Sequence, residues 1–168
     1  MSIIVRNEQS ADLDPIECLT RAAFENEPYS SHTEEFIINS LRRFGQLTIS
    51  LVAVEGEAIV GHVAVSPVTL SSGVTGWFGL GPISVLPEHQ GQGIGSRLMN
   101  AALERLRHSG AAGCVILGSP GYYGRFGFKV YPGLRLSGAP PEYFQALSFT
   151  GELPIGDVCY HEAFEAKE

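Results

Sequence analysis

The segment Gln90-Gly91-Gln92-Gly93-Ile94-Gly95-Ser96 places three alternate glycines at the start of the clearest helical stripe in the chain. Glycine tolerates left-handed backbone and removes side chains, so such a turn can aim several N–H groups at one point. A helix that begins there adds its unpaired N–H groups and the positive end of its dipole. The chemistry this offers is the binding of an anion of the pyrophosphate kind. The spacing excludes two other phosphate devices: no lysine follows as in G-x-x-x-x-G-K-[ST], and the glycines are two and two apart, unlike G-x-G-x-x-G. The plain alternative is a helix start that packs against a strand and needs only small residues. No G-x-S-x-G elbow occurs, which argues against a serine hydrolase. No set of His, Cys, Asp and Glu has metal-ligand spacing, so no metal is expected.

Elements must hold this turn in place. Ile3 to Arg6 reads as a first strand. Asp14, Pro15 and Glu17 make a helix start, with Ile16, Leu19 and Ala23 on its apolar stripe. Ser31 and Glu34 resemble a capping box for a second helix with Ile37, Leu41 and Phe44 on one face, ended by Gly45. Leu47 to Val54, Ala58 to Val68 and Trp77 to Leu86 form an antiparallel meander with almost no polar alternation, as expected of strands covered on both faces. The helix Ile94 to Ser109 then carries Ile94, Leu98, Ala102 and Leu106, with Met99 and Leu103, opposite Arg97, Asn100, Glu104 and Arg107. Cys114 to Leu117 is a short apolar strand, and a crossover this long favours parallel pairing with the strand before the helix. Ser119 to Phe126 reads as a compact turn and Gly127 to Val130 as a strand. Phe144 to Phe149 and Val158 to Phe164 read as a closing hairpin. The fold class is therefore α/β, a mixed and mostly antiparallel sheet of six or seven strands flanked by helices. No linker or repeat interrupts it, so residues 1–168 are expected to form one domain.

Composition narrows the function. With 11 Lys and Arg against 18 Asp and Glu, the net charge is −7. A surface built to neutralise phosphates would be basic, so no nucleic acid is expected as partner. The acidic balance favours cationic partners, amines among them. Cys18, Cys114 and Cys159 are odd in number and far apart, which fits a reducing, cytoplasmic setting. The N-terminus lacks signal-peptide character, and no run approaches ~18 apolar residues, so no membrane is expected as partner.

Gln90-Gly91-Gln92-Gly93-Ile94-Gly95 also has the Q-x-x-G-x-G form of the pyrophosphate loop in the GCN5-related N-acetyltransferase (GNAT) family. Gly81 to His89 resembles that family's fourth strand running into the loop. Tyr122-Tyr123-Gly124-Arg125-Phe126-Gly127-Phe128 resembles its Y-x-x-x-G-F signature. Leu117-Gly118-Ser119-Pro120 before it matches a sub-branch marked by L-G-x-P-x-Y-Y-x-R-F-G-F. The resemblance implies acetyl-CoA as the acyl-donor cosubstrate and direct attack by a primary amine, of a small molecule or peptide, in a ternary complex. It implies that the N–H groups from Gly91 to Ser96 hold the pyrophosphate, with Gln90, Gln92 and Ile94 in the same loop. It implies that Ile83, Ser84 and Val85 pair with the pantetheine arm, and that an N–H near Val85 stabilises the oxyanion. Tyr123 takes the position of the acid that protonates the leaving thiolate, and Tyr122 is read as core. Many members carry an asparagine before this tyrosine that bonds the pantetheine; here Ser119 is the substitute. The family's acceptor pocket uses the first two helices and their loop. This makes Glu27 and His32 the candidate bases and Tyr29 a pocket wall. Arg125 is a candidate contact for the 3′-phosphoadenosine. The resemblance also allows a homodimer. A non-catalytic acyl-CoA sensor on the same fold is the rival reading.

Overall fold

A computed structural model of the chain describes residues 2–28 and 30–167. Strand β1 (Ile3–Asn7) leads into helices α1 (Leu13–Phe24) and α2 (Glu34–Arg43), then strands β2 (Ile49–Glu55), β3 (Ala58–Leu70) and β4 (Trp77–Val85). Helix α3 (Ile94–His108) crosses to β5 (Gly113–Leu117), and the single turn α4 (Pro120–Tyr123) follows. Strands β6 (Leu134–Leu136), β7 (Phe144–Ser148) and β8 (Gly156–Tyr160) complete the order.

The main sheet runs β1-β2-β3-β4-β5-β7. All its neighbours are antiparallel except β4 and β5, which pair in parallel across the α3 crossover as expected. Strand β3 is buried almost continuously from Val60 to Ser66 because both faces are covered. On one face Leu98, Met99, Ala102 and Leu106 of α3 pack on Leu51, Val63 and Val65. On the other, Ile16 of α1 and Ile38 of α2 pack on Val52 and Ala64. The polar side of α3, with Arg97, Asn100, Glu104 and Arg107, is exposed. Among the described residues no helix is long and apolar enough to cross a membrane.

Four expectations need correction. The runs near the C-terminus do not pair as a hairpin: β7 lies antiparallel on β5, while β8 joins the far end of β3 and runs parallel to β6. Strand β5 would otherwise present an open edge, and β7 closes it while burying Phe144 and Ala146 against Val115. Gly127 to Val130 is not a strand; it makes the single bridge Lys129 to Ala146, because Gly127 turns left-handed at φ +97°. Asp14 does not cap α1. Asp12 precedes it, and its carboxylate accepts from Arg6 Nη1 at 2.6 Å and from the Gln9 N–H at 2.7 Å. Ser31 forms no capping box with Glu34; Ser30 Oγ donates to that carboxylate instead.

A partly buried polar chain links Arg42 of α2, through Glu8 and Ser50, to the buried His62 of β3. Arg42 Nη2 donates to Glu8 at 2.7 Å, and Ser50 Oγ donates to Glu8 at 2.5 Å. Because the Ser50 hydroxyl hydrogen goes to Glu8, the 2.8 Å contact between Ser50 Oγ and His62 Nε2 requires His62 to donate. Nδ1 of His62 is then the unprotonated nitrogen, buried with no partner among the described residues. Desolvation holds the imidazole neutral and lowers its pKa to about 4, against the pull of Glu8. The unfolded histidine, with an ordinary pKa near ~6.5, therefore binds more protons than the folded one as pH falls from there. Stability is expected to drop by roughly 1 to 2 kcal/mol from this group between pH 6.5 and 5. Melting curves over that range should show the fall, and His62→Gln should flatten it. An identical slope in the variant would remove His62 as the cause.

Candidate active site

The turn between β4 and α3 is built by backbone conformation. Gly91 and Gly93 sit at φ +77° and +81°, and a Cβ at either would meet open space. Their requirement is therefore conformational, and it leaves the surface there bare. The requirement at Gly95 is a close approach, since a Cβ there would come to 3.2 Å from Tyr122 Oη. The first intrahelical bond of α3 runs from Arg97 N–H to the Gly93 carbonyl. The N–H groups of Ile94, Gly95 and Ser96 thus have no intrahelical acceptor, and Gly93 offers no side chain to cap them. Gln90 Nε2 donates to the Val85 carbonyl at 3.1 Å, tying the loop back to the strand. His89 and Glu55 brace its other side at 3.2 Å.

Strand β4 leaves one edge open beside this loop. The Leu86 N–H donates to Val60 in the β3 register, in which His62 faces Ser84. Antiparallel alternation then turns the main chain of Ser84 towards β3 and that of Ile83 and Val85 away from it. On that outer edge β5 meets β4 only from Trp77 to Gly79. The separation follows from an extra residue in β4: Val63 faces Ile83 while Val65 faces Leu80, so Gly81 and Pro82 oppose Ala64 alone. Such a bulge bends its strand and ends regular pairing. The open edge is the kind to which an extended ligand adds as a strand does.

A cleft of about 630 Å³ runs along this edge to the turn. Ile83, Ser84, Val85, Gln90, Gly91, Gly93, Ile94, Gly95 and Ser96 all border it, as does Tyr123. Gln92 does not, and neither does the exposed Ser119, whose carbonyl accepts from the N–H groups of Tyr122 and Tyr123 to start α4. Tyr123 lies over Gly118, where a Cβ would be 2.4 Å from its ring. The Leu-Gly pair before α4 is thus what lets the ring press on the backbone. Burial, and secondarily Tyr122, raise the Tyr123 pKa above its ordinary value, so the phenol stays protonated at neutral pH.

A second cavity of about 510 Å³ lies between the ends of α1 and α2, the bulge of β4, β5 and the C-terminal segment. Ile83 and Tyr123 border both spaces. Of the candidate bases, Glu27 is exposed at the rim of the first cleft, and His32 borders neither. His32 is exposed with φ +59° and lines a small recess with Arg21, Phe24, Glu25, Glu34 and Glu35. Tyr29 lies outside the described residues.

One aromatic falls elsewhere than the sequence suggested. Tyr122, read as core, is only half-buried and borders the first cleft, edge-on to Tyr123 at 5.0 Å. The cation of Arg125 stacks on the Tyr122 ring at 4.6 Å and borders the same cleft. Glu34 is the carboxylate in the second cavity, and sequence reasoning passed over it as a capping residue. Its missed signal is its place in the first turn of α2, facing back across the α1–α2 loop.

Comparison with known proteins agrees with this architecture. The model of the acetyltransferase (GNAT) domain family matches residues 5–131. The uncharacterized N-acetyltransferase YhbS of Escherichia coli strain K12 is 36% identical over 129 residues, 76% of this chain and 74% of YhbS. A GNAT family acetyltransferase from Brucella melitensis, solved in complex with acetyl-CoA, is 45% identical with a TM-score of 0.87, covering 97% of this chain and 98% of that one. The structure of E. coli YhbS in complex with CoA also superposes with a TM-score of 0.87, at 32% identity, over 99% of this chain and 93% of YhbS.

Proposed function

Since the chain belongs to the GNAT family of acetyltransferases, we propose that it moves an acetyl group from acetyl-CoA to a primary amine of a small molecule or peptide by direct attack. The observation that carries this reading is the meeting of two cavities at Tyr123 and Ile83. A donor lying along the open edge of β4 would bring its thioester to that junction, where an amine in the second cavity can reach it. The Brucella and E. coli relatives, solved with acetyl-CoA and CoA, support acetyl-CoA as the donor.

In this reading the N–H groups of Ile94, Gly95 and Ser96 hold the pyrophosphate. The outward main chain of Ile83 and Val85 pairs with the pantetheine arm, and the Val85 N–H faces the oxyanion. With Gln90 already bonded to the Val85 carbonyl, the Val85 N–H is the group left for that task. The ammonium first gives up a proton to a base or to water. The free amine attacks the thioester carbon, and the tetrahedral adduct collapses with cleavage of the C–S bond. The thiolate takes the Tyr123 proton, and the phenolate recovers the proton shed by the nitrogen through solvent. Glu27, at the cleft rim, is the better placed of the two base candidates. A sensor needs no protonated phenol between two cavities, which favours the enzyme over that rival.

The test is a thermal melt with acetyl-CoA, followed by amine-dependent release of CoA thiol. At about 100 times its dissociation constant, a ligand stabilises by about 2.7 kcal/mol. For a chain of this length that is a shift on the order of 5–10 °C. The absence of a shift would overturn the proposal. A shift with thiol release by no amine would leave the sensor in its place.

A further inference from the structure

We infer that the second cavity selects small primary amines with an uncharged, apolar alkyl or aryl body, holding the ammonium at Glu34. This rests on the acetyl transfer proposed above and specifies its acceptor. The walls are hydrophobic: Phe24 and Ile37 from the two helices, Leu80 and Pro82 from the bulged strand, and Phe164 from the C-terminal segment. Leu117 completes the mouth and is 47% exposed, a large apolar side chain left in solvent where a ligand would cover it. Among the described residues Glu34 is the one carboxylate in this lining, and no Lys, Arg or His joins it.

Glu34 is partly buried and held in place, since Ser30 Oγ lies 2.8 and 2.7 Å from its two oxygens. Among the described residues no Lys, Arg or His nitrogen reaches within 4.0 Å of its carboxylate, whereas Glu8 and Glu35 are matched by Arg42 and Arg21. Glu34 also borders the small recess that holds Arg21 and His32, but Arg21 is committed to Glu35, so on the apolar side the fixed carboxylate is complemented by one cation. A polyamine would leave further charges against apolar walls. An amino acid would bring a carboxylate that meets no cation there. The volume is in the range of small-molecule sites, roughly 300–1,000 Å³, so we assign the occupant as a free small amine and not a peptide.

With acetyl-CoA saturating, kcat/KM should rise from propylamine to butylamine to hexylamine by about three- to fourfold per methylene, as burial of each CH₂ group predicts. Phenethylamine should also exceed spermidine and glutamate at least tenfold. Glu34→Gln should raise the amine KM at least tenfold, with the loss on KM and not on kcat, while the acetyl-CoA melting shift persists and reports an intact fold. Faster acetylation of spermidine, of glutamate, or of a tetrapeptide with an apolar free N-terminus would overturn the proposal. So would an unchanged KM in Glu34→Gln, or a normal acetyl-CoA shift with no apolar amine acetylated. Loss of the acetyl-CoA shift in the wild-type chain would instead strike the proposed transfer itself, and this inference with it.

Discussion

Replacing Gly93 with glutamate is expected to erase the rise in melting temperature that acetyl-CoA gives the wild-type chain. Two effects meet at this position and can be separated. Gly93 is left-handed at φ +81°, so any side chain carries about 1–2 kcal/mol of backbone strain. Among the described residues no atom beyond the chain neighbours lies within 4 Å of a Cβ built there, so the new side chain projects into the space before α3. A carboxylate there opposes an incoming pyrophosphate at the N–H groups that would receive it. Strain is present with and without ligand and cancels in the shift, whereas repulsion does not. At a ligand concentration that stabilises the wild type by about 2.7 kcal/mol, a hundredfold weaker site retains only about 0.4 kcal/mol. Gly93→Ala supplies the strain without the charge. It should melt lower than wild type when free, yet keep most of the shift. A glutamate variant that keeps the full shift would mean that the donor binds elsewhere.

The parts of this architecture that follow local rules were legible in the sequence. The α3 stripe is legible because Ile94, Leu98, Ala102 and Leu106 recur with the helical period, and all four are buried. The turn before it is legible because left-handed positions select glycine, as they do at Gly91 and Gly93. The pairing of β7 with β5 and of β8 with β3 was not legible. Each partner lies tens of residues away, and the open edge of β5 that attracts β7 exists only once β5 has paired with β4. The two tyrosines show the same limit at smaller scale. Whether Tyr122 or Tyr123 enters the cleft depends on how α4 sits against Gly118 and Gly95, and in the folded chain both do.

The acceptor side was the least legible for a similar reason. Glu27 and His32 are residue types suited to taking a proton, but a loop sequence does not say which way its side chains face. The fold sends His32 outward and brings Glu34, the first residue of α2, to the apolar cavity. What fixes Glu34 there is Ser30, a neighbour whose hydroxyl could equally have capped the helix. Small polar residues offer several local bonds of similar strength, and tertiary packing chooses among them.

Tyr123→Phe is expected to lower turnover by about 10²–10⁴-fold, the range for loss of a positioned acid, with acetyl-CoA stabilisation left nearly intact. The substitution removes one oxygen and keeps the ring. That ring, edge-on to Tyr122 at 5.0 Å and Phe128 at 6.4 Å and seated over Gly118, makes the contacts that hold α4. Fold and donor binding should therefore survive, and the loss should fall on kcat. Thiolate departs with difficulty from a tetrahedral adduct in a partly dry site, so a proton delivered at that moment matters more than it would in water. Burial raises the phenol pKa above its ordinary value near ~10. An acid acts only while protonated, so Tyr123 should stay competent up to and beyond that pH. An alkaline limb due to its ionisation should lie above pH ~10 in the wild type and vanish in the variant. Unchanged kcat at saturating acetyl-CoA would show that the thiolate leaves unaided or takes its proton from water. Tyr123 would then be a wall shared by the two cavities, with no part in the proton transfer.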